Sequence, residues 1–563
     1  MTARARRRLA APTLVVLLTS LLAALGGAPA PAVGWAGSAD PPSTMWGDTV
    51  LVSPNRAHRE TSLALSPTDP NLLFICDPSG VPNTTYNQSY FHRSTNGGKN
   101  WAYLDVEGPN TDPRNYAYEG GDCDVAFDAG GTMYSADTWL GSLSVGHSTD
   151  GGNTWTGTSL AATSPIVDRP WLVGGPAGTI HVSYQDLQCC MPSAMWYTRS
   201  TDYGQTFLPA VPITAAGPEG AYTWEGNFAV SPNGQDLYLV YTRRMTNNLT
   251  NGLDQSGPES VWVAASHNAG LTWESKLVAR MPNPASYLYP SIAMDKGGFL
   301  HVVFASRTDE DRPIWYAFSK DQANTWTAPL AIRRGESGYS PWVAGGDAGE
   351  AAITWYGSQV PMASMSDSVP WHFFWAKVSG ADAGMPTLSS GTTTTTPMFT
   401  GVSGIPEFEM IQLDSEGRMH IGMSAYRRQG VTTTWAIWYQ REILPLVKGS
   451  GSVPGEGLGA SSFALDVEQD EAGAIAGSLS FADPDAGVTI EALSFDGFSI
   501  QKVTGALTCT ITGQAEVTRD GLTGTEPFMA SCRDGGTSGD TFSFSSASYT
   551  GGGALTGGDV AAG

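Results

Sequence analysis

Charge is scarce in this chain of 563 residues: Asp, Glu, Lys and Arg make up 15% of it, against about a quarter in an ordinary soluble protein. Cations are scarcest, 30 Lys and Arg facing 53 Asp and Glu for a formal net charge of −23, which argues against a nucleic-acid partner. The six cysteines come without a Cys-x-x-Cys or Cys/His cluster, and His92, His147, His181, His301 and His420 show no ligand spacing, so zinc is not expected. There is no P-loop, dinucleotide fingerprint or Gly-x-Ser-x-Gly elbow. After Leu25 no apolar run is long enough to cross a bilayer. What the chain has in plenty is Gly (67), Pro (36) and Trp (18), a turn-rich and aromatic-rich β composition. The length suits one large β architecture plus a smaller module.

The N-terminus reads as a secretory signal peptide over 1–32. Arg4 to Arg8 form a basic region, Leu9 to Leu25 an apolar one, and Ala28 to Ala32 small-residue cleavage sites. The alternative, an uncleaved anchor, is weaker because the apolar run is near the lower limit for a span. A secreted chain can form disulfides: Cys509 with Cys532, and Cys76 with Cys123, are the expected pairs, while the adjacent Cys189 and Cys190 could form only a strained ring or stay thiols.

A short motif recurs five times, as STNGGKNW from Ser94, STDGGNTW from Ser148, STDYGQTF from Ser200, SHNAGLTW from Ser266 and SKDQANTW from Ser319. The intervals are 54, 52, 66 and 53 residues. Asp or Asn can bond the backbone ahead of it, Gly supplies a positive φ, and the aromatic packs between blades, so each copy predicts a tight hairpin turn. The copies resemble the Asp-box (BNR) repeats of sialidases and related β-propellers, and spacing of this kind is that of propeller blades. A longer repeat, two strands around a Gly, Asp or Pro turn, starts at Glu60, Asp122, Asp168, Glu225, Tyr289, Tyr339 and Glu407. Seven units predict an all-β, seven-bladed propeller over 46–446, with six blades, the sialidase number, as the alternative. WGDTVLVSP from Trp46 should close the ring by pairing with the last blade. Residues 447–461, rich in Gly and Ser, read as a flexible linker, and 462–563 as a small β-sandwich-like module with a loose Gly-rich end.

The seven unit starts form a column that should surround one mouth of the central channel. Its carboxylates would repel one another unless cations or donors compensate. Arg169 follows the column directly, and Arg243, Arg244, Arg307, Arg312, Arg427 and Arg428 lie in loops opening on the same face. The resemblance to sialidases implies three arginines on a substrate carboxylate, a Tyr nucleophile assisted by Glu, and an Asp acid/base, because an anionic sugar repels a carboxylate nucleophile but tolerates a phenol. The order Glu225, Arg243, Arg307, Tyr339 matches the family's Glu, Arg, Arg, Tyr. The first arginine is Arg59 or Arg169, and Asp77 is the substitute for an acid/base that has no counterpart before the first box. A secreted sialidase-like exo-glycosidase is the enzyme expectation, and a non-catalytic propeller holding glycan or protein on that face the alternative. No cofactor is required, calcium being the one ion that the acidic column or the loop Ser306 to Arg312 would suit. The expected partner is a glycan or glycoprotein surface, with no membrane insertion and a monomeric state.

Overall fold

Short runs rich in Val, Ile, Tyr, Phe and Trp, interrupted every few residues by Gly, Asp or Asn, leave no stretch free for a helix, and the computed structural model is built of strands and turns alone among the described residues. It describes residues 45–563 except 54–59, 79–88, 105–121, 140–141, 162–166, 187–193, 214–221, 245–258, 282–288, 333–336, 364–366, 394–396, 401–408, 430–431, 444, 456–458, 470–473, 504–505, 536–538 and 563. The signal segment, Arg59, Glu407 and the Cys189–Cys190 pair lie outside the described residues. No helix among those described is long and apolar enough to cross a membrane.

Seven antiparallel sheets follow one another along the chain. Their innermost strands are Ser62–Leu65, Cys123–Phe127, Val167–Gly174, Tyr222–Val230, Ser291–Met294, Ser337–Gly345 and Ile411–Leu413, and each packs against the next until the last meets the first. The chain is thus a seven-bladed β-propeller, and the six-bladed alternative falls. The ring closes as the sequence suggested. In blade seven the strand Thr432–Ile443 pairs on one side with Met419–Gln429 and on the other with Met45–Trp46 and Val50–Ser53 from the chain's beginning.

Polar side chains on the innermost strands pin neighbouring blades together. Ser62 donates to the Asp124 carboxylate of blade two, whose other oxygen accepts Leu172 N–H of blade three at 2.6 Å. Asn227 accepts from Ile292 N–H (2.8 Å) and donates to its carbonyl (3.1 Å), and Ser291 accepts from Val343 N–H (3.2 Å). A short parallel bridge between Thr61 and Glu409 joins blade seven to blade one.

The five repeated turns connect the third and fourth strands of blades one to five and share one bonding pattern. The serine hydroxyl accepts the N–H four residues on, at 2.8 Å from Gly98, 2.9 Å from Gly152, Gly204 and Gly270, and 3.1 Å from Ala323. The Asp or Asn oxygen accepts a second N–H, from Asn100, Thr154, Thr206, Thr272 and Thr325. Bonds from the Thr154 and Thr206 hydroxyls hold the Asp150 and Asp202 carboxyls down at about 2. These bonds fix the shape of the five turns.

The disulfide Cys76–Cys123 ties blade one to blade two, and Cys509–Cys532 joins directly opposed residues of the C-terminal module. That module is one nine-stranded antiparallel sheet curled around a single core of Phe463, Phe481, Phe528, Phe542 and Phe544. Two expectations are corrected here. The supposed linker is mostly a strand, Leu446–Pro454, paired with Ala460–Gln469 and Gly557–Ala562, and the supposed loose end is the strand pair Thr550–Ala554 and Gly557–Ala562. Their glycines serve close packing, not mobility. A Cβ at Gly451 would collide with the Gly557 carbonyl, and one at Gly449 would come 2.8 Å from Asp559 O.

Candidate functional site at the channel mouth

The first turn of every blade begins with a residue whose N–H bonds back across the hairpin: Ser66, Asp128, Gly175, Ser231, Asp295, Gly346 and Asp414. Six positions before these turns stand, among the described residues, Glu60, Asp122, Arg169, Glu225, Tyr289 and Ser340, but this count does not follow the strand pairing. By strand pairing Asp168, opposite Gln185, and Tyr339, opposite Tyr356, hold the place that Asp122 holds opposite Thr138, and Arg169 and Ser340 are extra residues that follow them. Like blade four between Glu225 and Phe228, the innermost strands of blades three and six slip register, between Asp168 and Trp171 and between Tyr339 and Trp342, with Arg169 and Ser340 in the left-handed region at φ 53° and 51°. Non-glycine residues there are strained by roughly 1–3 kcal/mol, a cost that packing must offset. The slips in blades three and six read as X-Pro-Trp, Arg169-Pro170-Trp171 and Ser340-Pro341-Trp342.

The slip in blade three turns Arg169 into the middle of the ring. Its guanidinium pairs with Glu60 of blade one at 3.1 Å and Asp122 of blade two at 3.0 Å, and lies 4.6 Å from the centre of the Tyr289 ring of blade five. Beneath it the axis is filled by aromatics: Trp171 stacks obliquely on Trp342 at 5.4 Å and meets Tyr289 edge-on at 6.2 Å, with Trp224 6.3 Å from the same tyrosine. One arginine thus joins four blades across what would otherwise be an open channel.

Around Arg169 the carboxyls are crowded and short of water. Asp122 and Asp168 share a hydrogen bond. Burial pushes Asp168 up to about 7, with the charge of Asp122 adding to it, and pushes Asp122 up to about 6 against the pull of Arg169. The Asp168 Oδ1 accepts the Arg169 N–H at 3.1 Å. Glu225, fully buried beside Ser183, is pushed well above the usual carboxylate range by burial and by Asp168. Burial also lifts the Tyr289 phenol well above its ordinary value, a direction that Arg169 opposes. Burial thus raises both carboxyls of the pair, and Asp168 is half-buried.

The other expected site residues fare as follows. Tyr339 is a correction: it is 1% exposed in the core between blades, its hydroxyl donates to the Ala363 carbonyl at 3.0 Å, and its ring meets Trp371 edge-on and Arg312 on its face. A phenol so enclosed cannot reach a substrate. Asp77 is also corrected as the solvent-side acid/base, since it is fully buried 3.6 Å from His92 Nδ1 of its own blade. Arg243 lies over the rings of Trp262 (5.1 Å) and Tyr241 (5.8 Å) on blade four, and Arg307 is half-buried in the loop after Leu300–Ala305 on blade five. Among the described residues no group of three or more His, Cys, Asp and Glu side chains is arranged to hold a metal ion.

No protein-family model and no curated protein matches the chain. Among solved structures it resembles a protein of unknown function from Dyadobacter fermentans, at 13% identity and a TM-score of 0.41 over 71% of this chain and all of that one. An α-L-arabinofuranosidase from Fusarium graminearum matches at 14% identity and 0.40, covering 62% of this chain and 97% of the enzyme. A Hadza microbial sialidase matches at 18% and 0.37, over 54% of this chain and 64% of that one. Such likenesses concern the arrangement of blades.

Proposed function

We propose that the chain is a secreted, carbohydrate-active propeller that receives a glycan at the channel mouth and cleaves a glycosidic bond with a proton from Asp168. The reading is carried by the hydrogen-bonded carboxyl pair Asp122–Asp168 beside Arg169. A carboxyl still protonated near neutrality can give its proton to the glycosidic oxygen as the bond to the anomeric carbon breaks. Water then adds to that carbon, and the proton it releases returns to the pair, restoring neutral Asp168. Glu60 and Arg169 hold Asp122 in place as the accepting partner. Two disulfides and the N-terminal leader support export.

Sialidase chemistry finds less support, because Tyr339 gives its hydroxyl to a backbone carbonyl and Arg169 is already shared between two carboxylates. A binding-only propeller is the second reading, favoured by the enclosure of Arg169, 7% exposed, and Tyr289, 2% exposed, at the heart of the cluster. The test is release of reducing ends or fluorophore from a panel of polysaccharides and aryl glycosides, an aryl sialoside among them. Turnover on any member should fall by roughly a hundredfold or more in Asp168→Asn. Retention of glycans by a wild-type protein inert towards the whole panel would refute cleavage and leave the binder.

A further inference from the structure

We propose that blade four carries an anion-binding site at the outer rim of the same mouth, built from Arg243, Arg280 and Trp262, for a carboxylate- or sulfate-bearing sugar of a polysaccharide. Thr223, Arg243, Ser260 and Arg280 pair in one row across the four strands of this blade. Directly paired residues share a sheet face, so both arginines stand on the same side. They converge on one ring: the Arg243 guanidinium is 5.1 Å and that of Arg280 6.0 Å from the Trp262 centroid. The Trp262 indole is fixed from below by its N–H donating to Ser260 Oγ at 2.7 Å.

Neither arginine has an ion pair among the described residues, and the buried Arg243 Nε has no hydrogen-bond partner. In a chain with a formal charge of −23 this is anomalous. Arg169 takes two carboxylates, and Arg418 takes Asp414 and Glu416. The face of an indole attracts a cation but does not neutralise two, and like charges gathered on one ring repel. A bound anion removes that repulsion and fills the open donors, and the planar guanidinium fork fits carboxylate and sulfate oxygens.

The place on the blade suggests how the ligand lies. The adjoining row on the same face is Glu225, Tyr241, Trp262, and Glu225 faces the carboxyl cluster. With strands about 4.8 Å apart, Arg243 stands about 5 Å and Arg280 about 14 Å out from the innermost strand. A polymer running from the axis to the rim therefore passes Asp168 first and the two arginines next. In this form the inference rests on the mouth being a glycan site, and it names the substrate class as an acidic polysaccharide.

Affinity electrophoresis of the full chain in gels containing dextran sulfate, polygalacturonate or uncharged dextran tests it. We expect retardation by at least one charged polymer and none by dextran, abolished at about 0.5 M salt. Arg243→Gln and Arg280→Gln should each weaken binding roughly tenfold and together roughly a hundredfold. Retardation by dextran sulfate alone identifies a sulfate ester, by polygalacturonate alone a uronate. Arg280 is exposed, so its variant folds, and unaltered circular dichroism verifies this for Arg243. A wild-type chain that is retarded by a charged polymer yet turns over no substrate of the panel upholds this site while refuting cleavage. Retardation by neither charged polymer, equal retardation by dextran, or unchanged affinity in the double variant overturns the proposal.

Discussion

Asparagine at position 168 is the most informative single change in this protein. In the folded state Asp168 shares a hydrogen bond with Asp122 and accepts from the Arg169 N–H. An asparagine can make both bonds, with its amide N–H₂ and its carbonyl, so it copies the neutral acid while removing the proton. Burial raises this carboxyl from an ordinary 3.8 to about 7, so the folded chain binds a proton that the unfolded chain releases between those values. Below about pH 4 the group is neutral in both states and exacts nothing. As pH rises through the window from about 4 to 7 stability is lost, and above 7 the full penalty of a buried charge stands. A displacement of this size corresponds to at most about 4 kcal/mol, and to about 2 kcal/mol once sharing of the proton with Asp122 is allowed for. Urea unfolding of wild type and Asp168→Asn at pH 4 to 8 isolates the site, because the chain's large net charge acts on both alike. The variant should match the wild type at pH 4 and exceed it by about 2–4 kcal/mol at pH 8 while turnover is lost. Parallel curves across the whole range would show that Asp168 titrates like a surface aspartate, and the proton-donor reading would fall with it.

Other changes probe the fold and the corrected residues. Tyr339→Phe should cost about 1 kcal/mol through the bond to Ala363 and leave any turnover within about twofold, and lost turnover in a folded variant would return the phenol to the reaction. Gly270→Ala forces a side chain at φ +83° into the Tyr197 ring and should cost about 2–5 kcal/mol, whereas Gly298→Ala, at φ +81° with nothing within 4 Å, should cost about 1–2 kcal/mol; denaturant midpoints compare them. Replacing both Cys76 and Cys123 by alanine opens a link between residues 47 apart and should lower stability by about 4 kcal/mol, measured against the wild type with and without reductant.

Architecture was legible because it is written in repetition. Five box turns and seven strand pairs each restate one local geometry, and the closing segment Val50–Ser53 shows itself by likeness to the strands it replaces. The site was harder to read because its position depends on one residue of slip. Asp168-Arg169-Pro170-Trp171 and Tyr339-Ser340-Pro341-Trp342 look like ordinary unit starts with an acid or an aromatic in front, and the extra residue that follows, Arg169 in one and Ser340 in the other, shows itself only in the strand pairing. Glycine misled in the opposite sense at 447–461. Gly449 and Gly451 there mark strands lying too close for a Cβ, a tertiary fact that composition cannot express. The rim arginine Arg280 escaped notice because it lies in an outer strand, where no repeat marks it, and its relation to Arg243 exists only through the register of Ser260.

The closure of blade seven has a consequence in time. Four residues made at the start of synthesis, Val50–Ser53, find their partner only when Thr432–Ile443 has been made, so six blades must wait with an unpaired edge at each end. Pairing so distant in sequence makes ring completion the slow step of folding and leaves the growing chain open to wrong partners until then. The same connection works in reverse once the ring is shut. Opening the propeller requires this short segment to peel away, and native-state hydrogen exchange should find the amides of blade seven releasing together with those of blade one. The half-life of the folded ring would then be set by a clasp, and strengthening the contacts of Val50–Ser53 would prolong it more than any addition to the core of a single blade.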